Sequence, residues 1–170
     1  RFVDRLANVS DPRSLAQPNL LLRLGGGRYR DAGPESGDGF AGRADYRGLA
    51  GADFDDGGDP DLAITANDGP ARLLRNDYAA TGRWLGVRLL ERSGRRDALG
   101  AEVRLELPGA PALVRRSHTD GSYLSAGDPR VVFALAGEAA PAGLRVRWPD
   151  GGEERFGTPA TGRYTTLRQG

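Results

Sequence analysis

Cysteine is absent from the 170-residue chain. Its absence excludes disulfides, thiolate metal sites and cysteine nucleophiles, while leaving the compartment open. Lysine is absent too, so all 24 basic residues are arginine. That bias suits GC-rich coding and is compatible with a high working temperature. No apolar run approaches the roughly 20 residues of a membrane helix. The start, Arg1-Phe2-Val3-Asp4, has neither Met nor a signal-peptide pattern, so the expectation is a chain processed or cut from a longer one. Histidine occurs once, at His118, which leaves little material for a zinc site.

Glycine is abundant, with 26 residues, and proline contributes 11. Glycine and proline at that density favour many short strands joined by turns over long helices. Charge is unevenly spread although the net value is +1. Residues 1–80 hold ten Arg against 13 acids, and residues 81–170 hold 14 Arg against ten acids. This asymmetry predicts two units, 1–80 and 81–170, with a boundary near Thr81. The arginines of the second half mostly alternate with apolar residues, the pattern of a wet strand face. The expectation is therefore no nucleic-acid partner.

Residues 1–18 read as irregular, with Asp11-Pro12 as a turn and Pro18 as a stop. Asn19-Leu20-Leu21-Leu22-Arg23-Leu24, Gly25-Gly26-Gly27 and Arg28-Tyr29-Arg30-Asp31 predict strand, tight turn, strand. The glycine run lacks the Lys-Ser/Thr and helix start of a phosphate loop. Gly33 to Gly42 is a loop, Arg47 to Ala52 a strand, and Leu62 to Thr65 a buried strand. Asn67-Asp68-Gly69-Pro70 is a turn leading to the strand Arg72 to Asn76. The two Leu-Leu-Arg strands, at Leu21 and Leu73, lie roughly 50 residues apart, which suits a propeller blade of about 40–50 residues. In the second half, strands are expected at Trp84–Leu90, Ala101–Leu107, Ala112–Arg116, Val131–Leu135, Leu144–Trp148, Glu153–Phe156 and Tyr164–Leu167. A long loop is expected from His118 to Gly127. Short strands at about ten-residue spacing predict a β-sandwich or small barrel. The fold class expected is all-β: partial propeller blades, then an antiparallel β-sandwich or small barrel.

Asp53-Phe54-Asp55-Asp56-Gly57-Gly58-Asp59-Pro60-Asp61 packs five carboxylates into nine residues. Unbalanced, these charges repel one another. A hard divalent cation removes the conflict, and calcium takes roughly six to eight oxygen ligands. An EF-hand is excluded, because Ile64 stands at the twelfth position where Glu is required and the flanks read as strands. The competing interpretation is a solvated acidic turn.

The loop with its flanks, Arg47-Gly48 through Asp53-x-Asp55 and Asp61-Leu62 to Leu73-Leu74-Arg75-Asn76, resembles an FG-GAP/VCBS propeller repeat. That resemblance implies calcium held by side chains at loop positions one, three, five and nine, and by the carbonyl at seven. Asp53, Asp55 and Asp61 match side-chain positions, and Asp59 falls at the carbonyl position. Gly57 falls at position five, where the family usually has Asp or Asn, so water or Asp56 would have to substitute.

The second half also has a family likeness. Trp84-Leu85-Gly86-Val87, Arg96-Asp97-Ala98-Leu99-Gly100-Ala101-x-Val103, Gly121-Ser122-Tyr123-Leu124-Ser125 and Val146-Arg147-Trp148-Pro149-Asp150-Gly151 together resemble the ASPIC/UnbV domain of the cartilage acidic protein-like family. Arg95 replaces a usual Asn, and Phe133-Ala134-Leu135-Ala136 replaces Phe-Gly-Leu-Gly. The resemblance implies secretion, or a periplasmic or cell-surface location, and no agreed catalytic residues.

His118 with Asp120, Ser122 and Ser125 invites comparison with a catalytic triad, but residues this close on one loop rarely aim a base across space at a nucleophile. The expectation is a polar loop and no enzyme. Trp84 and Trp148 read as core or rim packing before a carbohydrate platform. Gly121, Ser122, Tyr123 and Ser125 form a candidate contact loop, with Tyr123 its exposed residue. The functional expectation is a calcium-binding scaffold, adhesion or ligand-binding module that meets a protein or glycan. Its partners would also include the rest of a longer propeller or other copies of itself. Two alternatives stand beside it. One, implied by the UnbV resemblance, is a role in enediyne-type biosynthesis, acting on or sequestering a polyketide intermediate. The other is a structural subunit that completes a neighbour's open sheet edge.

Overall fold

A computed structural model describes residues 16–67, 69–77, 83–135 and 140–170. The Asp11-Pro12 turn, Asp68, Thr81 and Ala136 lie outside the described residues. The chain is all-β, with several sheets and no closed barrel among the described residues. It divides into two compact units. The first is Arg1–Leu49 with Ala63–Leu74, and the second is Ala50–Leu62 with Arg75–Gly170. Residues 50–62, which carry the acidic loop, are thus grouped with the carboxy-terminal half.

The first unit begins with β1 (Gln17–Pro18), β2 (Leu22–Gly25), β3 (Arg28–Asp31) and β4 (Arg43–Ala44). β1 pairs with β4, and β2 pairs with β3 as a hairpin. Gly26 and Gly27 turn that hairpin at φ values of 57° and 74°, a region glycine enters without steric cost. Every residue of both hairpin strands is exposed. Two short 3-10 turns follow, at Gly33–Glu35 and Asp38–Phe40. β5 (Tyr46–Ala52), β6 (Asp61–Ala66) and β7 (Arg72–Leu74) form a three-stranded sheet in that order. The unit boundary falls within β5 and β6, so the loop they flank belongs to the second unit.

The second unit holds β8 (Arg83–Leu90), β9 (Glu102–Glu106), β10 (Leu113–Arg116), β11 (Asp120–Ser122), β12 (Ser125–Ala126), β13 (Val131–Leu135), β14 (Gly143–Arg147), β15 (Glu153–Phe156) and β16 (Tyr164–Arg168). Two sheets form around one core, ordered β13-β8-β16 and β10-β9-β14-β15. Alternation along each strand sends Leu85, Val87 and Leu89 from β8 inward to meet Val103 and Leu105 from β9. Phe133 of β13, Val146 of β14 and Trp148 complete the same cluster. Hydrophobic burial of such residues stabilises by roughly 1.5–3 kcal/mol for each large side chain. β16 runs parallel to β8, whereas hairpin spacing alone predicts antiparallel neighbours. The expected loop from His118 to Gly127 instead contains the short β11–β12 hairpin.

Candidate metal centre

The loop between β5 and β6 is closed by its own backbone. Asp53 and Asp61 are 4% and 1% exposed, unusual for carboxylates unless they are well bonded. Asp53 Oδ1 accepts the Gly57 N–H at 2.9 Å, and its Oδ2 accepts the Gly58 N–H at 2.8 Å. Asp61 Oδ2 accepts the Phe54 N–H at 2.8 Å, while Oδ1 accepts the Asn76 N–H at 2.7 Å. Asp55 Oδ1 also accepts from Gly57, at 3.0 Å. These bonds wrap the chain around its acids.

One carboxylate oxygen from each of Asp53, Asp55 and Asp61 lies within 4.8 Å of the others. These three of the predicted positions are therefore brought together. Asp59 stands outside that trio. Burial, followed by the charges of Asp61, Asp53 and Asp55, raises its pKa above the ordinary value. Gly57 contributes its N–H. A Cβ built there would lie 2.8 Å from Asp55 Oδ1 and 3.1 Å from Asp59 Oδ1, so the Asp or Asn usual at this position would crowd both side chains. Asp56, the candidate substitute, takes a left-handed φ of 55° and sends its Oδ1 to Arg130 at 2.7 Å. The donor set fits a hard cation through three carboxylates, with oxygen ligands only.

Residues remote in sequence complete the surroundings. Tyr164 donates its hydroxyl to Asp53 Oδ2 at 2.7 Å. Arg130 reaches the Asp53 carbonyl at 2.7 Å, and its Nε bonds Asp128 Oδ2 at 2.6 Å. The guanidinium sits 4.0 Å from the centre of the Tyr164 ring, a cation–π distance. Burial alone would lower the Arg130 pKa, but the hydrogen bonds to Asp56 and Asp128 outweigh it and raise the pKa. Burial, then the bond to Asp53 and its negative charge, raises the Tyr164 phenol above its usual range. Trp84 meets Tyr164 edge-on at 5.3 Å.

Two glycines permit this contact. Gly58 has φ 90°, and a Cβ there would fall 2.2 Å from Trp84 Cδ2. Gly86 lies opposite Tyr164 in the parallel register, and its Cβ would fall 2.3 Å from the phenol ring. Both positions need a residue without a side chain. Trp84 reads from the sequence as packing, and no local motif marks Arg130 or Tyr164 as part of the site. The available signal was the glycine in Trp84-Leu85-Gly86-Val87, a strand position where a close neighbour is expected.

The other predicted positions lie elsewhere in the second unit. Gly121 and Ser122 are in β11 and Ser125 in β12, with Tyr123 and Leu124 at the tip. Tyr123 is 79% exposed and Leu124 88%, the latter at a left-handed φ of 49°. His118 Nδ1 meets the Asp120 carbonyl at 2.8 Å and its Oδ1 at 3.2 Å. Ser125 donates to the Tyr123 carbonyl at 3.2 Å, so these groups are engaged in shaping the hairpin. Trp148 is buried and meets Phe156 edge-on, which makes it a core residue.

No curated protein matches the chain. Residues 91–170, which run from β9 through β16 and include both Arg130 and Tyr164, match the model of the family described as ASPIC and UnbV.

Proposed function

We propose that this chain is a calcium-stabilised binding scaffold of an extracytoplasmic protein. An FG-GAP/VCBS-type loop at Asp53–Asp61 would hold the ion, and the ASPIC and UnbV domain would present the contact surface. The observation that carries this reading is the convergence of Asp53, Asp55 and Asp61, two of them buried, within 4.8 Å. Calcium would cancel the mutual repulsion of the carboxylates and fix the loop; its role is structural. The exposed tip Tyr123-Leu124 supports a contact surface, since an aromatic side chain offers a large contact area at low entropic cost. The two sheets of the second unit share a core of apolar side chains, which supports a scaffold that binds at its surface.

A thermal melt in excess calcium and in excess chelator tests the reading. At a calcium concentration of 100 times Kd the native state gains about 2.7 kcal/mol. The expected result is a calcium-dependent rise in Tm that Asp53→Ala abolishes. Identical melting of the parent protein in saturating calcium and in chelator rejects it.

A second reading, self-assembly through the first unit, is favoured by Leu22, Leu24 and Tyr29, all more than half exposed on the β2–β3 hairpin. Leu24 and Tyr29 are cross-strand partners and share a face with Leu22. Sedimentation should show size increasing with concentration, and Leu24→Glu should suppress the increase. A constant monomer mass across the range rejects this reading.

A further inference from the structure

The sheet β10-β9-β14-β15 buries Val103, Leu105, Leu144 and Val146 on one side. The alternating residues Arg104 and Arg145 therefore lie on its outer side. Register places Arg104 opposite Arg145, and Arg145 opposite Arg155. Three arginines thus occupy one cross-strand row on neighbouring strands spaced about 4.8 Å apart. Like charges directly opposite one another destabilise a sheet. The next row alternates in sign, with Arg147 between Glu102 and Glu153. The repulsive row is thereby confined to three positions.

Its charge is only partly answered. Arg145 bonds Glu106 at 3.1 Å and lies 4.0 Å from Glu153. Arg104 and Arg155 form no ion pair among the described residues. The Nε of Arg145 is buried and has no hydrogen-bond partner, a costly state for a donor that an acceptor would relieve. Beside it lies a depression of about 270 Å³, lined by Arg104, Arg145 and Arg147 together with Glu102 and Glu153.

We propose that Arg104 and Arg145 in the depression, with Arg155 at the end of their row and outside the depression's lining, form a binding site for a tetrahedral oxyanion of the sulfate or phosphate class. Planar guanidinium forks match such oxygens in pairs, and a doubly charged anion offsets the repulsion within the row. Glu102 and Glu153 bound the positive strip, so its footprint suits one anionic group and not a long polyanion. The depression is lined by charged residues alone, which gives a nucleic-acid base no aromatic ring on which to stack.

The test is a titration of the full chain with inorganic sulfate and inorganic phosphate at constant ionic strength set by chloride. Arginine Nε–H resonances in NMR spectra are the readout. The expected result is a saturable shift of the Arg145 signal, with at least fivefold weaker binding in Arg104→Gln and in Arg155→Gln. Arg88→Gln, whose parent residue pairs with Asp97 away from this row, should bind as the parent does. Should one row variant fail to fold by circular dichroism, the other reads the same site. A non-saturable shift, or equal affinity in the row variants and the parent, overturns the proposal. Glycerol phosphate provides the further arm. Tighter binding than inorganic phosphate supports the site with an esterified ligand, and equal binding supports it with the free ion.

Discussion

The phenol of Tyr164 donates to the same Asp53 oxygen that accepts the Gly58 N–H. Arg130 holds the Asp53 carbonyl and stacks on the phenol ring. Two side chains thus grip the first residue of the loop from opposite chemical handles. A hydrogen bond to a charged acceptor contributes about 1.5–3 kcal/mol. Tyr164→Phe should therefore lower stability in chelator by about that amount, measured by urea unfolding. Arg130→Gln should act in the same direction, and the double variant should lose less than the sum, because both residues act on Asp53. Strict additivity would show that the two contacts are independent. Asp53, Asp55 and Asp61 were legible in the sequence because their spacing is local. Tyr164 lies 111 positions from Asp53, beyond the reach of any spacing rule.

Among the elements, the turn joining β14 to β15 shows how a local motif and a distant contact combine. Pro149-Asp150-Gly151 announces a turn, and Gly151 adopts φ 90°. Asp150 Oδ1 accepts the Gly152 N–H at 2.9 Å, and Oδ2 accepts Gln169 Nε2 at 2.7 Å. The Gly152 bond, followed by the Gln169 bond, holds the Asp150 pKa below its ordinary value. A carboxylate depressed in the folded state stabilises above its unfolded pKa, near 3.9. That contribution disappears as pH falls through the folded value. Asp150→Ala should therefore melt below the parent at pH 7, with the difference closing under acid conditions below pH ~3.9. Thermal melts across pH 2–7 (about the range spanning both states) check it, and a pH-independent difference would contradict the linkage. The strands themselves were largely readable. Alternation placed Val103 and Leu105 inward, and both are fully buried. The β11–β12 hairpin was missed because Asp120, Gly121, Ser122 and Ser125 carry no apolar alternation.

For the whole molecule, the placement of residues 50–62 with the carboxy-terminal half matters most. Bonds from Asp53 to Tyr164 of β16 and to Arg130 just before β13 tie the loop to the rest of the second unit. The calcium shift proposed above should therefore appear in the main unfolding transition of that unit, in step with loss of its core. Among the described residues, the buried apolar side chains of the first unit are Ala32 and Ile64, against thirteen clustered in the core of the second. Its hairpin exposes Leu22, Leu24 and Tyr29, and a two-stranded hairpin is at best marginal by itself in water.

By itself the sequence determined the all-β class, most strand positions and the acidic loop, because alternation, turn chemistry and carboxylate spacing act over a few residues. Tertiary structure decided the rest. The parallel pairing of β16 with β8 brings Tyr164 over Gly86 and onto Asp53. Cross-strand register lines Arg104, Arg145 and Arg155 into one row. Both arrangements depend on which strands become neighbours and in what register. That choice is set by burying one shared apolar core, a constraint summed over the whole chain and absent from any short window of it.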